Sequence, residues 1–111
     1  MKSSALAGGA ADRPQGRKGK TKMYNELIIR IIGATKFNRD NANKADVQRS
    51  SFTAGMATAL ADVLRSMGHS VEMGTWNDNG CDRIGFIKIN DAVLVKNSEI
   101  NYDVYNEILK K

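Results

Sequence analysis

Tyr24-Asn25-Glu26-Leu27-Ile28-Ile29-Arg30-Ile31-Ile32 is the stretch on which the fold of this 111-residue chain turns. Isoleucine is stiff at its branched β-carbon and fits a pleated, half-buried surface better than a helix turn. Apolar side chains fall on both alternating faces of the run, which stops at Gly33. That pattern predicts a strand in the middle of a sheet. Residues 34–43, rich in Asn and carrying Lys36, Arg39 and Asp40, then read as a polar loop.

Outward from that strand the next element is a helix. Phe52, Met56, Leu60, Val63, Leu64 and Met67 form an apolar stripe at 3.6-residue spacing, with Ser51, Thr58, Asp62 and Arg65 opposite. Asp46 or Asn43 suits its N-cap and Gly68 its C′ position. Residues 70–76 alternate as a half-buried strand, and Asp78-Asn79-Gly80 is a hairpin signal. The return strand covers residues 83–89, Asn90-Asp91 turns the chain again, and residues 92–95 form the last strand. Ser98 is suited to cap a final helix whose Ile100, Val104, Ile108 and Leu109 share a face.

The predicted order is β-α-β-β-β-α. The strand, helix and strand at its start make a right-handed crossover with parallel flanking strands. The expectation is one small α/β (α+β) domain over residues 23–111, with a mixed four-stranded sheet and two helices. About 88 residues is near the lower size at which a hydrophobic core suffices alone.

Residues 1–22 differ from the rest. They carry six basic groups (Lys2, Arg13, Arg17, Lys18, Lys20 and Lys22) against Asp12 alone, leaving 11 of each sign in residues 23–111. The whole net charge of +5 therefore resides in this segment. Rich in Gly and Ala and poor in large apolar residues, it is predicted to be a disordered arm. A flexible cationic arm binds polyanions by releasing their counterions. Arg13, Arg17, Lys18, Lys20 and Lys22 are accordingly the candidate nucleic-acid contacts, and an acidic protein or nucleoprotein surface would satisfy the same charges.

Chemistry-bearing residues are few. His69, the single histidine, lies between a helix end and a strand, where imidazole commonly satisfies terminal carbonyls. Cys81, the single cysteine, excludes an internal disulfide and fits a reducing, cytoplasmic setting. The neighbouring Asp82 disfavours a thiolate there. Asp78 and Asp82 with Asn77 and Asn79 lack the spacing of a calcium loop and read as turn residues. Phosphate-loop and dinucleotide-binding glycine patterns are missing, and one His with one Cys cannot close a zinc site. The reading is of a protein that is not an enzyme and needs no metal or cofactor. The Ala5-Leu6-Ala7 run is too short for a signal peptide, and no apolar run is long enough to span a bilayer.

Two further surfaces emerge. Ligands of open α/β sheets gather beyond the carboxyl ends of parallel strands, which points to Lys36, Arg39 and Asn43 as an anion or ligand loop. Ala54, Ala57 and Ala61 form a small-residue strip that permits close approach of a helix or a second subunit, so a homo-oligomer is compatible with the sequence. Trp76, Tyr24, Tyr102 and Tyr105 are the aromatics available for stacking on bases.

The stretch from Phe52 to Met73, FTAGMATALADVLRSMGHSVEM, resembles a von Willebrand A-like segment of phage and plasmid proteins, with a helix ending in Gly followed by a strand. It covers about a fifth of the chain and implies a viral or mobile-element setting. The family's metal motif would follow the first strand, where Gly33-Ala34-Thr35-Lys36-Phe37 stands instead, so no metal residues carry over. The β-β-β-α end with a helix before it is similar to the double-stranded RNA-binding fold, although Ser98-Glu99-Ile100-Asn101 replaces that fold's lysine-rich final helix start. Together these features lead to a non-enzymatic binding protein engaging nucleic acid or a nucleoprotein through its arm. The alternative is a structural or inhibitory module acting through protein contacts.

Overall fold

In the computed structural model, which describes residues 13–110, residues 24–32 lie within one long helix, α1 (Arg13–Asn43), and form no strand. The burial pattern explains why. Leu27, Ile28, Ile31, Ile32, Ala34, Thr35, Asn38 and Ala42 are buried, while Ile29 and Arg30 are exposed. That recurrence has the 3.6-residue period of a helix face, and it becomes visible only when the window runs past Gly33. Tertiary packing of this face outweighs the β preference of isoleucine and the roughly 1 kcal/mol that a mid-helix glycine costs relative to alanine. The expected polar loop at 34–43 is the second half of the same helix. The helix also begins at Arg13, ahead of the boundary expected after residue 22, while residues 1–12 of the expected arm lie outside the described residues.

α1 ends in a paired-bond cap: the Asp46 N–H donates to the Asn41 carbonyl (2.9 Å) and the Ala45 N–H to the Ala42 carbonyl (3.0 Å). This geometry requires a left-handed residue, and Ala45 supplies it with φ 59°. Alanine is strained there because its Cβ crowds the following carbonyl. Ala45→Gly is therefore expected to stabilise the protein by about 0.5–1 kcal/mol, read as a raised urea midpoint with unchanged slope.

Asp46 then caps α2 (Val47–Ser66), its carboxylate accepting the Arg49 N–H at 3.0 Å, as anticipated. The far end repeats the α1 cap with a glycine: Gly68 has φ 95°, and the His69 and Gly68 N–H groups reach the Leu64 and Arg65 carbonyls. The buried face of α2 keeps only part of the expected large-residue stripe: Leu64 is buried and Leu60 and Met67 pack against the core. Ser50, Thr53, Ala54, Ala57, Ala61 and Leu64 are buried, whereas Phe52, Met56 and Val63 are exposed. The alanine strip is the inner face, and its small side chains let α2 lie close to α1 and to the sheet.

The sheet is wholly antiparallel, in the order β1 (Val71–Asp78), β2 (Cys81–Ile89), β3 (Ala92–Lys96) and β4 (Glu99–Ile100). No parallel crossover forms, because the strand that would have begun it belongs to α1; β4 is the fourth strand instead of residues 24–32. Three two-residue turns link the strands: Asn79-Gly80, Asn90-Asp91 and Asn97-Ser98. All six residues have positive φ, the signature of the hairpin turn that matches strand twist. The last helix, α3 (Tyr102–Lys110), is capped by Asn101, whose side chain accepts the Val104 N–H at 3.2 Å. Ser98 sits in the turn before β4 and does not cap it.

The described residues thus form a small α+β domain of three helices and a four-stranded sheet. Its core joins Leu27, Ile28, Ile31 and Ile32 of α1 and Leu64 of α2 to Val71, Ile84, Ile87, Ile89, Leu94 and Val95 of the strands. Val104, Tyr105, Ile108 and Leu109 of α3 close one flank.

Candidate functional site

Asn38 is the polar centre of the molecule. It is only 2% exposed and uses both ends of its amide. Its nitrogen donates to the Asp82 carbonyl (2.7 Å), the Ser50 carbonyl (2.9 Å) and Thr53 Oγ1 (3.3 Å), and its oxygen accepts the Ile84 N–H (2.8 Å). The residue joins α1, α2 and β2 in one network. Next to it the ladder is irregular: Gly74 pairs with Phe86 and Thr75 with Ile84, so Gly85 is left over in β2. Asn38 receives the Ile84 N–H at this break, where a buried donor without a partner is costly.

Lys36, Arg39 and Asn43 are not a loop. They lie at i, i+3 and i+7 on the second half of α1, so one side of a helix carries all three. Lys36 Nζ stands 5.5 Å from the centroid of the Tyr102 ring, a cation–π contact between α1 and α3. Asn43 Oδ1 accepts from Arg83 Nη2 (3.0 Å), and Arg83 Nε pairs with Asp78 Oδ2 (2.7 Å). Arg39 is half-buried. Two of the three residues therefore tie elements together, which a loop reading did not foresee.

His69 forms part of a latch at the end of α2. Its ring lies 4.5 Å from that of Tyr24, and its Nδ1 is 2.9 Å from Asn90 Nδ2. Burial raises the Tyr24 pKa above its ordinary 10.0, against the lowering effect of a hydrogen bond with Asn90. Tyr24 and Asn90, with Ile89, Ala92, Val104, Glu107 and Ile108, line a cavity of about 250 Å³ between α1, β2 and α3. Cys81 is buried at the start of β2. Asp78 is held by Arg83, and Asp82 takes a long 3.5 Å contact from Asn77. No group of three or more His, Cys, Asp or Glu side chains among the described residues is placed to hold a metal ion.

Of the aromatics proposed for stacking, Trp76 and Tyr102 are exposed, while Tyr24 and Tyr105 are partly buried. Trp76 lies across Gly85, where an added Cβ would come within 2.8 Å of its Cδ1, and Arg83 flanks the ring at 5.9 Å. The space left by that glycine holds the indole on the sheet surface.

The basic candidates Arg13, Arg17, Lys18, Lys20 and Lys22 all belong to α1. Lys22 is exposed; the side chains of the other four lie outside the described residues. On the outer side of the helix pair, Arg30, Gly33, Ala34, Phe37, Met56, Ala59 and Leu60 line an apolar groove of about 370 Å³. Sequence periodicity places Met56 and Leu60 in one apolar stripe; Leu60 packs against the core but Met56 is exposed, so periodicity alone does not reveal the groove. No helix among the described residues is long and apolar enough to cross a membrane. No family model, curated protein or solved structure matches the chain.

Proposed function

We propose that the protein is a non-enzymatic nucleic-acid-binding protein that engages RNA, DNA or a nucleoprotein through the basic first third of α1. The observation that carries this reading is the charge distribution: the whole net charge of +5 falls in residues 1–22. Five of those cations stand on a helix whose continuation, Leu27, Ile28, Ile31 and Ile32, is packed into the core. A cationic helix anchored in this way transmits phosphate binding directly to the body, while a free tail would not. At 3.6 residues per turn, positions 13, 17 and 20 share one side of the helix, and 18 and 22 another. The half-exposed Trp76 beside Arg83 supplies a stacking surface on the sheet. Duplex RNA is the first polyanion to try, because α2, an antiparallel sheet and α3 follow one another as in the double-stranded RNA-binding fold, with β4 as an added fourth strand. A cytoplasmic setting agrees with the unpaired Cys81.

The test is fluorescence anisotropy with a labelled RNA duplex, comparing the wild-type chain with one in which Arg13, Arg17, Lys18, Lys20 and Lys22 are all Gln. The wild type should show log affinity falling with log salt at a slope of about −4, for roughly five phosphate contacts. The variant should lose at least about tenfold in affinity at moderate salt, with a slope near zero. Equal affinity and equal slope for the two chains would sink the reading.

A further inference from the structure

We propose that the outer face of the α1–α2 pair is the contact surface of a two-fold homodimer, in which α1 of one copy packs antiparallel against α1 of the other. This inference does not depend on the nucleic-acid reading. The face is apolar and uncovered: Phe37 is 64% exposed, Phe52 68%, Met56 42% and Val63 43%, around the groove over Gly33 and Ala59. These side chains expose on the order of 500 Å², at the upper range for a monomer's contiguous patch. With their flanks they approach the roughly 800 Å² per partner of a specific interface. On α2, Phe52, Met56, Ala59 and Val63 are spaced 4, 3 and 4 residues apart, the spacing of a helix-packing seam.

What selects a second copy as occupant is the corresponding seam on α1: Glu26, Arg30, Gly33, Phe37, Asp40 and Lys44. All are exposed except the half-buried Gly33, and Lys44 directly follows the helix. An antiparallel two-fold axis sets each position against the one equally far on the other side of the axis. With the axis crossing the outer face level with Thr35, Glu26 meets Lys44 of the second copy, Arg30 meets Asp40, and Gly33 meets Phe37. Both charged pairs have opposite sign, and the protruding ring faces the gap left by glycine. None of the four charged residues forms an ion pair with another described residue. An added Cβ at Gly33 meets nothing within 4 Å, so that gap is open to a partner's side chain.

Sedimentation equilibrium of the full chain from low to high micromolar concentration tests the proposal. A reversible monomer–dimer equilibrium is expected. Phe37→Ser and Gly33→Leu should each weaken it about tenfold or more, with unchanged far-ultraviolet circular dichroism, since both positions face open space. Arg30→Glu should weaken it in low salt, and the double variant Arg30→Glu/Asp40→Arg should restore it, because the exchange recreates the 30–40 pair with reversed signs at its two symmetry-related places. A chain that stays monomeric throughout would overturn the proposal, leaving the face to a different protein or to residues 1–12. A dimer indifferent to Phe37→Ser would overturn it equally, and failure of the charge exchange to restore pairing would overturn the stated register.

Discussion

Asn38→Ala is expected to destabilise the protein by about 3–4 kcal/mol. The substitution strips the buried Ile84 N–H of its acceptor and the Asp82 carbonyl of its donor. Each such orphaned group costs about 1–3 kcal/mol, and the emptied volume adds a cavity cost. Small domains are stable by only about 5–15 kcal/mol, so the loss should appear as a large fall in the urea midpoint. Asn38→Asp isolates the donor half of the network. It keeps an acceptor for Ile84 but turns an oxygen toward the Ser50 and Asp82 carbonyls. Burial and those carbonyls disfavour the carboxylate, so its pKa in the folded protein is raised above the unfolded value of about 3.9. The folded state then holds its proton more tightly, and stability is lost as pH rises through the folded pKa. Relative to wild type at the same pH, Asn38→Asp should be much less stable at pH 7 and recover as pH falls toward 4. A variant as stable as wild type at pH 7 would show that the amide nitrogen does not hold α1 to β2.

The same residue marks where the sequence was hardest to read. Asn38 lies in a segment whose Asn content suggested a loop, and polar composition alone does not reveal burial. Its burial follows from a helical face that starts at Leu27 and passes through Ile31 and Thr35, whose Oγ1 donates a hydrogen bond to the Ile31 carbonyl. Dense isoleucine and Gly33 concealed that face by imitating a strand and its end. The absence of a parallel crossover and the helical setting of Lys36, Arg39 and Asn43 both follow from residues 24–43 being one helix. The first two hairpins are legible because their cause is local: Asn-Gly and Asn-Asp accept left-handed backbone, and the strands must turn there, whereas the third turn, Asn97-Ser98, resembles a helix cap and is not. Asp46 and Gly68 were legible for the same reason, as caps act within one turn of chain. Ala45 does the work of a glycine at the end of α1, so the boundary carried no visible signal. Which side of α2 faces inward depends on the partner helix. Large residues normally mark the core, but here close helix packing selects alanines.

That inversion gives the second large effect. Ala57 is fully buried against α1 and the sheet, while Ala59, two residues on, lines the outer groove. Ala57→Leu forces three further carbon atoms into the closed core that α2 shares with α1 and the sheet, and is expected to cost about 2–3 kcal/mol. For a domain of this size that lowers Tm on the order of 10–20 °C. Ala59→Leu adds the same atoms on the open side and should leave Tm within a few degrees, because leucine and alanine differ little in helix propensity. Thermal melts of the two variants at one protein concentration compare the same substitution on the two faces of one helix. If the larger loss fell at Ala59, the large-residue stripe of Phe52, Met56 and Val63 would be the inner face after all, and the outer groove would not exist.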